Sequence, residues 1–211
     1  MLVGIYQFIY FEAKVSTACL LELSNRSEKI KGIEKEGSNL HLKIESSISH
    51  ELKTDQSVSH NGVCLTVTRV MGDTHWVTAI KETLKKSNLA LAVVDDPINL
   101  ERCMKADGRF DGHIVQGHID TVAEVIEMND EDGSWVFTFS LKEGGLMVEK
   151  GSICINGTSL TCFNVNGLNF SVAIIPYTFE HTNLHQLARG DLVNIEFDII
   201  GKYIHQTINR N

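Results

Sequence analysis

The chain has 211 residues, 43% of them hydrophobic and 22% charged, with a formal net charge of −8 and a pI near 5.6. Those values fit a soluble globular chain of one or two domains. They exclude nucleic acid and anionic membrane as partners, because both call for a basic patch.

No apolar run reaches the roughly 18 residues of a membrane span. The opening MLVGIYQFIY lacks the basic start and small-residue cleavage site of a signal peptide. Five cysteines, an odd count with no Cys-x-x-Cys, read as free thiols in a reducing cytoplasm rather than as a disulfide or zinc framework.

Most of the chain reads as β. Strands are predicted over 39–45, 63–70 and 75–80, then over 120–127, 134–141, 158–165, 168–175 and 192–198. Asn61-Gly62, Asn156-Gly157 and Asn166-Gly167 mark hairpin turns, since a type I′ turn needs positive φ at both central residues. Short helices are predicted over 82–91 and 177–187, the second closed by Gly190, with a terminal helix over 201–211. The polar, glycine-bearing stretch 106–113 separates two halves.

Those halves are copies. Residues 57–101 align with 152–196 at a constant offset of 95, without a gap, and about a third of the positions are identical. Among the identities are Ser57/Ser152, Asn61/Asn156, Thr66/Thr161, Asn88/Asn183, Asn99/Asn194 and Glu101/Glu196. A unit this long is a small domain rather than a solenoid repeat. Many short strands per copy predict a small closed barrel or sandwich in each half.

The chemistry-bearing residues recur with the repeat. Alternation along a strand puts Cys64, Thr66 and Thr68 on one face, and Ser159, Thr161 and Phe163 on the equivalent face of the copy. A pocket built from these pairs places them at equivalent inward positions. The copies differ where Cys64 faces Ser159, Lys81 faces Pro176 and Glu82 faces Tyr177. A thiol ionises near neutral pH and an unassisted serine hydroxyl does not, so the two pockets take similar ligands in unequal roles.

His113 and His118 are too awkwardly spaced to share a metal on a strand or a helix. Each reads either as a packed or surface side chain or as an acid–base group. His60, His75, His181 and His185 read as packed or surface residues.

The motifs HNGVCLTV (60–67), DGHIVQGHIDT (111–121), INGTSLT (155–161) and VAIIPYTFEHTNL (172–184) resemble the riboflavin synthase family. The likeness runs from about residue 33 to about 205. It implies an all-β chain of two tandem six-stranded Greek-key barrels with a short C-terminal helix, divided as 1–113, 114–200 and 201–211. It implies dismutation of two 6,7-dimethyl-8-ribityllumazines to riboflavin and 5-amino-6-ribitylaminouracil, without metal or organic cofactor, in a homotrimer whose sites form between neighbouring subunits.

By the same resemblance Cys64, His118 and Ser57 are catalytic. Substrate contacts fall on Leu65, Thr66, Thr78, Ala79, Ile80, Lys81, Glu82, Thr83, Gly117 and Ile119 in the first barrel. In the second they fall on Lys150, Ser159, Leu160, Thr161, Ile174, Ile175, Pro176, Tyr177, Thr178, Phe179 and Asp198. Gly4 and Ile5 fill part of the family's opening motif Met-Phe-Thr-Gly-Ile, whose phenylalanine and threonine are Leu2 and Val3 here. The alternative is a non-catalytic lumazine- or flavin-binding protein of the same fold.

Overall fold

The computed structural model describes residues 16–17, 28–109 and 111–209. The first half contains β1 (Ser16–Thr17), β2 (Lys29–Glu36), β3 (Asn39–Glu45), β4 (Ser57–His60), β5 (Val63–Met71), β6 (Thr74–Ala79), α1 (Lys81–Lys86) and β7 (Leu100–Arg102). In the linker, β8 (Ile114–Val115) pairs with β1. The second half contains β9 (Thr121–Asp130), β10 (Trp135–Leu141), β11 (Ser152–Ile155), β12 (Thr158–Asn166), β13 (Asn169–Ile174), α2 (Pro176–His181), β14 (Leu192–Phe197) and α3 (Ile199–Ile208).

The second half closes into a six-stranded barrel, β10-β13-β12-β11-β14-β9, and the first repeats that order as β2-β3-β6-β5-β4-β7. The offset of 95 extends to single hydrogen bonds. Val125 N–H donates to Asp191 O and Gly190 N–H to Val125 O, both at 2.9 Å, as Ile30 N–H donates to Asp96 O at 3.1 Å and Asp95 N–H to Ile30 O at 2.7 Å. These bonds lace the two edges of the first sheet together. Its ladder stops at an isolated Lys29–Pro97 bridge. Pro97 stands where the closed barrel has Leu192 and has no N–H to give.

Turn chemistry follows the sequence with one correction. Asn61 and Gly62 (φ 48° and 80°) and Asn156 and Gly157 (46° and 86°) are both positive, as a type I′ turn requires. At Asn166-Gly167 only the glycine is positive (φ 61°). Asn166 still belongs to β12, and the loop is Gly167-Leu168, with glycine at the first central position as in a type II′ turn. The terminal helix starts at Ile199 rather than 201, because the Asp198 carboxylate caps the Ile200 N–H at 2.9 Å.

The cores differ in chemistry. The second barrel packs Phe137, Phe139 and Phe170 with Ile153, Ile155 and Ile195, all fully buried. In the first barrel His60 and His75 stand where the second has Ile155 and Phe170, and both are fully buried. His60 Nδ1 lies 3.0 Å from the Val58 carbonyl, which can only accept, so the proton of a neutral His60 is on Nδ1. His60 Nε2 therefore accepts from His75 Nε2 at 2.9 Å, and His75 Nδ1 accepts from the Ser49 hydroxyl at 2.8 Å. The chain of three has one consistent set of proton positions, with every ring nitrogen satisfied.

Burial holds His60 down to a pKa of about 3 and His75 to about 4, against an ordinary value of 6.5. Both folded values lie below the unfolded one. The stability they confer is therefore complete above pH 6.5 and is lost as pH falls toward 4, by about 1.4 kcal/mol per pH unit for each ring. Glu28, bonded to Ser46 Oγ at 2.9 Å, acts in the opposite sense. Burial lifts it to about 8, so its contribution is lost as pH rises through that value. Replacing the pair with the second barrel's own residues, His60→Ile with His75→Phe, should flatten the acid flank and leave only the buried Ser49 hydroxyl without its partner. His75→Phe alone should cost about 1–3 kcal/mol, because it strands His60 Nε2 and Ser49. Urea unfolding from pH 4 to 8 reads both effects.

The two halves meet back to back. A Cβ on Gly62 would lie 2.7 Å from Gly157 N, and one on Gly157 would lie 3.0 Å from Gly62 N, so only glycine fits at either turn. Around this contact three asparagines from each copy interlock. Asn99 N–H donates to Asn61 Oδ1 and Asn194 N–H to Asn156 Oδ1, both at 2.8 Å. Across the seam, Asn88 N–H donates to Asn194 Oδ1 at 2.6 Å and Asn183 N–H to Asn99 Oδ1 at 2.7 Å. Asn99 Nδ2 donates to the Asn156 carbonyl at 2.9 Å and Asn194 Nδ2 to the Asn61 carbonyl at 2.8 Å. These six bonds form three repeat-related pairs, which marks this seam as the pseudo-twofold axis.

Candidate functional site

Alternation along β5 decides which residues are free to bind. Val63, Leu65 and Val67 are buried in the core, while Cys64 is half-buried and Thr66 and Thr68 are exposed. The polar pair is on the outer surface of the barrel, not inside it as the inward-pocket expectation has it. The apolar residues fill a barrel too narrow for anything but side chains. Ser57 and Ser59 of β4 pair with Thr66 and Cys64, so the four share that outer face. Thr78 of β6, bonded to His41 Nδ1 at 2.9 Å, borders it. Ile80 follows, 54% exposed.

The second barrel repeats the face with Ser152, Ser159 and Thr161, and with Ile175, 57% exposed. Large apolar side chains held in solvent at equivalent positions on both barrels suit stacking against a flat ring.

Other sequence-derived contacts sort by burial. Leu65, Ala79, Ile174 and Thr178 are buried, and Leu160 packs against the core, so only their backbones can face a ligand. Lys81, Glu82, Pro176 and Tyr177 are exposed at the starts of α1 and α2, with Thr83 half-buried behind them. Phe179 stacks on Trp135 at 3.8 Å. Lys150 lies with its ammonium 5.0 Å over the Phe163 ring. Asp198 caps α3. Gly4 and Ile5 lie outside the described residues.

The linker reaches both faces. Gly117 O accepts the Cys64 N–H at 2.9 Å, and a Cβ on Gly117 would lie 2.6 Å from Cys64 Cβ, so the linker presses on the thiol-bearing strand. His118, next in sequence, is exposed beside it, and Ile119 comes within contact of Gly62.

A carboxylate from the other barrel holds this segment. Glu196 of β14 is 1% exposed and accepts N–H bonds from Gln116 (2.8 Å), Gly117 (2.8 Å) and His118 (3.0 Å). Burial raises its pKa, against the pull of the three N–H donors and Lys202. Sequence reasoning assigned Glu196 no role, although Glu101/Glu196 stands among the repeat identities. At the other end of the linker, Asp120 bonds the Phe197 N–H at 2.8 Å and pairs with Lys202 of α3 at 2.6 Å.

His113, read from sequence as either a packed or surface side chain or an acid–base group, turns to the second barrel. Its Nδ1 lies 2.6 Å from Ser159 Oγ, so one linker carries a histidine to each barrel's distinctive residue.

A duplicated barrel with an equivalent polar outer face on each copy, joined by a linker that touches both, defines a protein of two repeated domains. The Lumazine binding domain profile matches the chain twice, over residues 25–103 and 116–198. The riboflavin synthase of Actinobacillus pleuropneumoniae is 40% identical over 181 residues, 84% of each chain. That of Saccharomyces cerevisiae is 39% identical over 180 residues, 82% of this chain and 76% of its own. Among solved structures, LumP complexed with 6,7-dimethyl-8-(1'-D-ribityl) lumazine superposes with a TM-score of 0.74 at 22% identity, over 80% of this chain and 93% of that one. At that identity the structural likeness speaks for the fold alone. The chain belongs to the riboflavin synthase family of lumazine-binding proteins.

Proposed function

We propose that the chain catalyses dismutation of two 6,7-dimethyl-8-ribityllumazine molecules, one giving a four-carbon unit to the other, to form riboflavin and 5-amino-6-ribitylaminouracil. The observation that carries this reading is the pair of equivalent outer faces, one bearing Cys64 and the other Ser159. A reaction between two identical substrates needs two like sites, and opposing them makes a bimolecular step effectively unimolecular. Unequal residues at one equivalent position then separate donor from acceptor.

His118, exposed beside the Cys64 strand, is placed to move a proton at the bound ring. Cys64 polarises that ring or adds to it transiently, and Ser57 supports the same face. His118→Gln should lower turnover by about 100-fold while lumazine still binds. Unchanged turnover would remove His118 from the chemistry.

Faces on the outside of a barrel need a second wall. We assign it to a neighbouring subunit in a homotrimer. Support comes from α3, where Ile200, Tyr203, Ile204 and Ile208 are 55–71% exposed and form one stripe at helical spacing. Tyr203→Glu with Ile204→Glu should therefore yield monomers on sedimentation and abolish riboflavin formation. A trimer that survives both changes would place the interface elsewhere.

Cys64, Cys154 and Cys162 are free thiols, which suits a reducing cytoplasm. Among the described residues no helix is long and apolar enough to cross a membrane.

A further inference from the structure

Two groups of His113 converge on Ser159 Oγ. The ring Nδ1 lies at 2.6 Å and the backbone N–H donates at 3.4 Å. The other ring nitrogen, Nε2, is buried and meets no hydrogen-bond partner among the described residues. A neutral imidazole carries one N–H. On Nε2 that proton would be a buried donor with nothing to receive it, the rarer and costlier kind of orphan. On Nδ1 it lands on Ser159 Oγ and leaves only a lone pair unmet. Both lone pairs of the Ser159 oxygen are then occupied by His113, and the hydroxyl's own proton is the group left to point away. Cys64, at the equivalent position, receives a different contact from the linker, the Gly117 carbonyl on its backbone N–H.

We propose that His113 is a positioning residue that fixes Ser159 as a hydrogen-bond donor, so that the C-terminal barrel selects a ligand presenting an acceptor oxygen or nitrogen at that point. This rests on the two-site lumazine reading above. It adds the source of the asymmetry: one site is set to donate through a fixed hydroxyl and the other carries a thiol.

The test is calorimetric titration of the full chain with 6,7-dimethyl-8-ribityllumazine, the class of sites weakened by Ser159→Ala being the C-terminal one. His113→Phe keeps the ring and removes both ring nitrogens. It should weaken that class by about tenfold, the size of one well-placed hydrogen bond. His113→Asn, whose amide N–H reaches toward Oγ as Nδ1 does, should restore most of the loss. Combining His113→Phe with Ser159→Ala should be no worse than Ser159→Ala alone, because the histidine acts through the serine. The other class of sites should not change, which also reports that the variants fold. Unaltered affinity in His113→Phe, additive losses in the double variant, or a wild-type chain with no site sensitive to Ser159→Ala would overturn the proposal. Two bound lumazines per chain without riboflavin would instead sink the synthase reading and leave this one standing.

Discussion

Gly117→Ala should reduce riboflavin formation by about 100-fold or more, the scale on which a misplacement of roughly 1 Å acts. Two effects combine. Gly117 has φ of +78°, where an L side chain costs about 1 kcal/mol. The new methyl would also lie 2.6 Å from Cys64 Cβ, 2.7 Å from its nitrogen and 3.0 Å from its Cα. None of those atoms is the far end of a flexible side chain, so the strand or the linker has to move. The linker cannot retreat freely, because Glu196 holds its three N–H groups from the far side. Cys64 and His118 are therefore pushed apart, and the Cys64 N–H to Gly117 O bond is lost. Steady-state turnover beside lumazine affinity reads the result. Near-normal turnover in Gly117→Ala would mean that the contact between linker and β5 does not set the site.

Asn194→Leu should be the most destabilising change on the axis. Asn194 is fully buried, and its side chain serves Asn88 N–H at one end and the Asn61 carbonyl at the other. Leucine has nearly the same reach and no polar atoms, so the buried Asn61 carbonyl and the half-buried Asn88 N–H both lose their bond. At about 1–3 kcal/mol for each stranded group, the expected loss is about 2–5 kcal/mol. Because both bonds join one barrel to the other, their loss should also separate the two unfolding events, giving two transitions in urea where the parent gives one. A single transition shifted by less than about 1 kcal/mol would show that the seam is held elsewhere.

The repeat carried much of the fold on its own. An offset of 95 read from letters anticipated two related halves and where both Asn-Gly turns fall; that strand order and the closing amides repeat at the same offset came only with the fold. What it left unread were contacts set by tertiary approach. Asn61, Asn99 and Asn194 were visible as identities, but a repeated residue marks either a shared fold position or a shared site, and alternation does not say which lies on an axis. The outward aim of Cys64 and Ser159 depends on which face of β5 and β12 fills the core, and that is decided by Leu65 and Val67 packing together in three dimensions. His113 and Glu196 act on residues 46 and about 80 positions away, a separation at which no local pattern speaks. The buried His60–His75 pair looked like two ordinary histidines because β6 brings them together only after folding.

The reaction is a two-site one between identical substrates. It is tested by incubating the purified chain with 6,7-dimethyl-8-ribityllumazine and quantifying substrate and products by chromatography. One riboflavin and one 5-amino-6-ribitylaminouracil are expected for every two lumazines consumed. Tight binding of lumazine with no riboflavin formed would contradict it and identify a binding protein of the same fold.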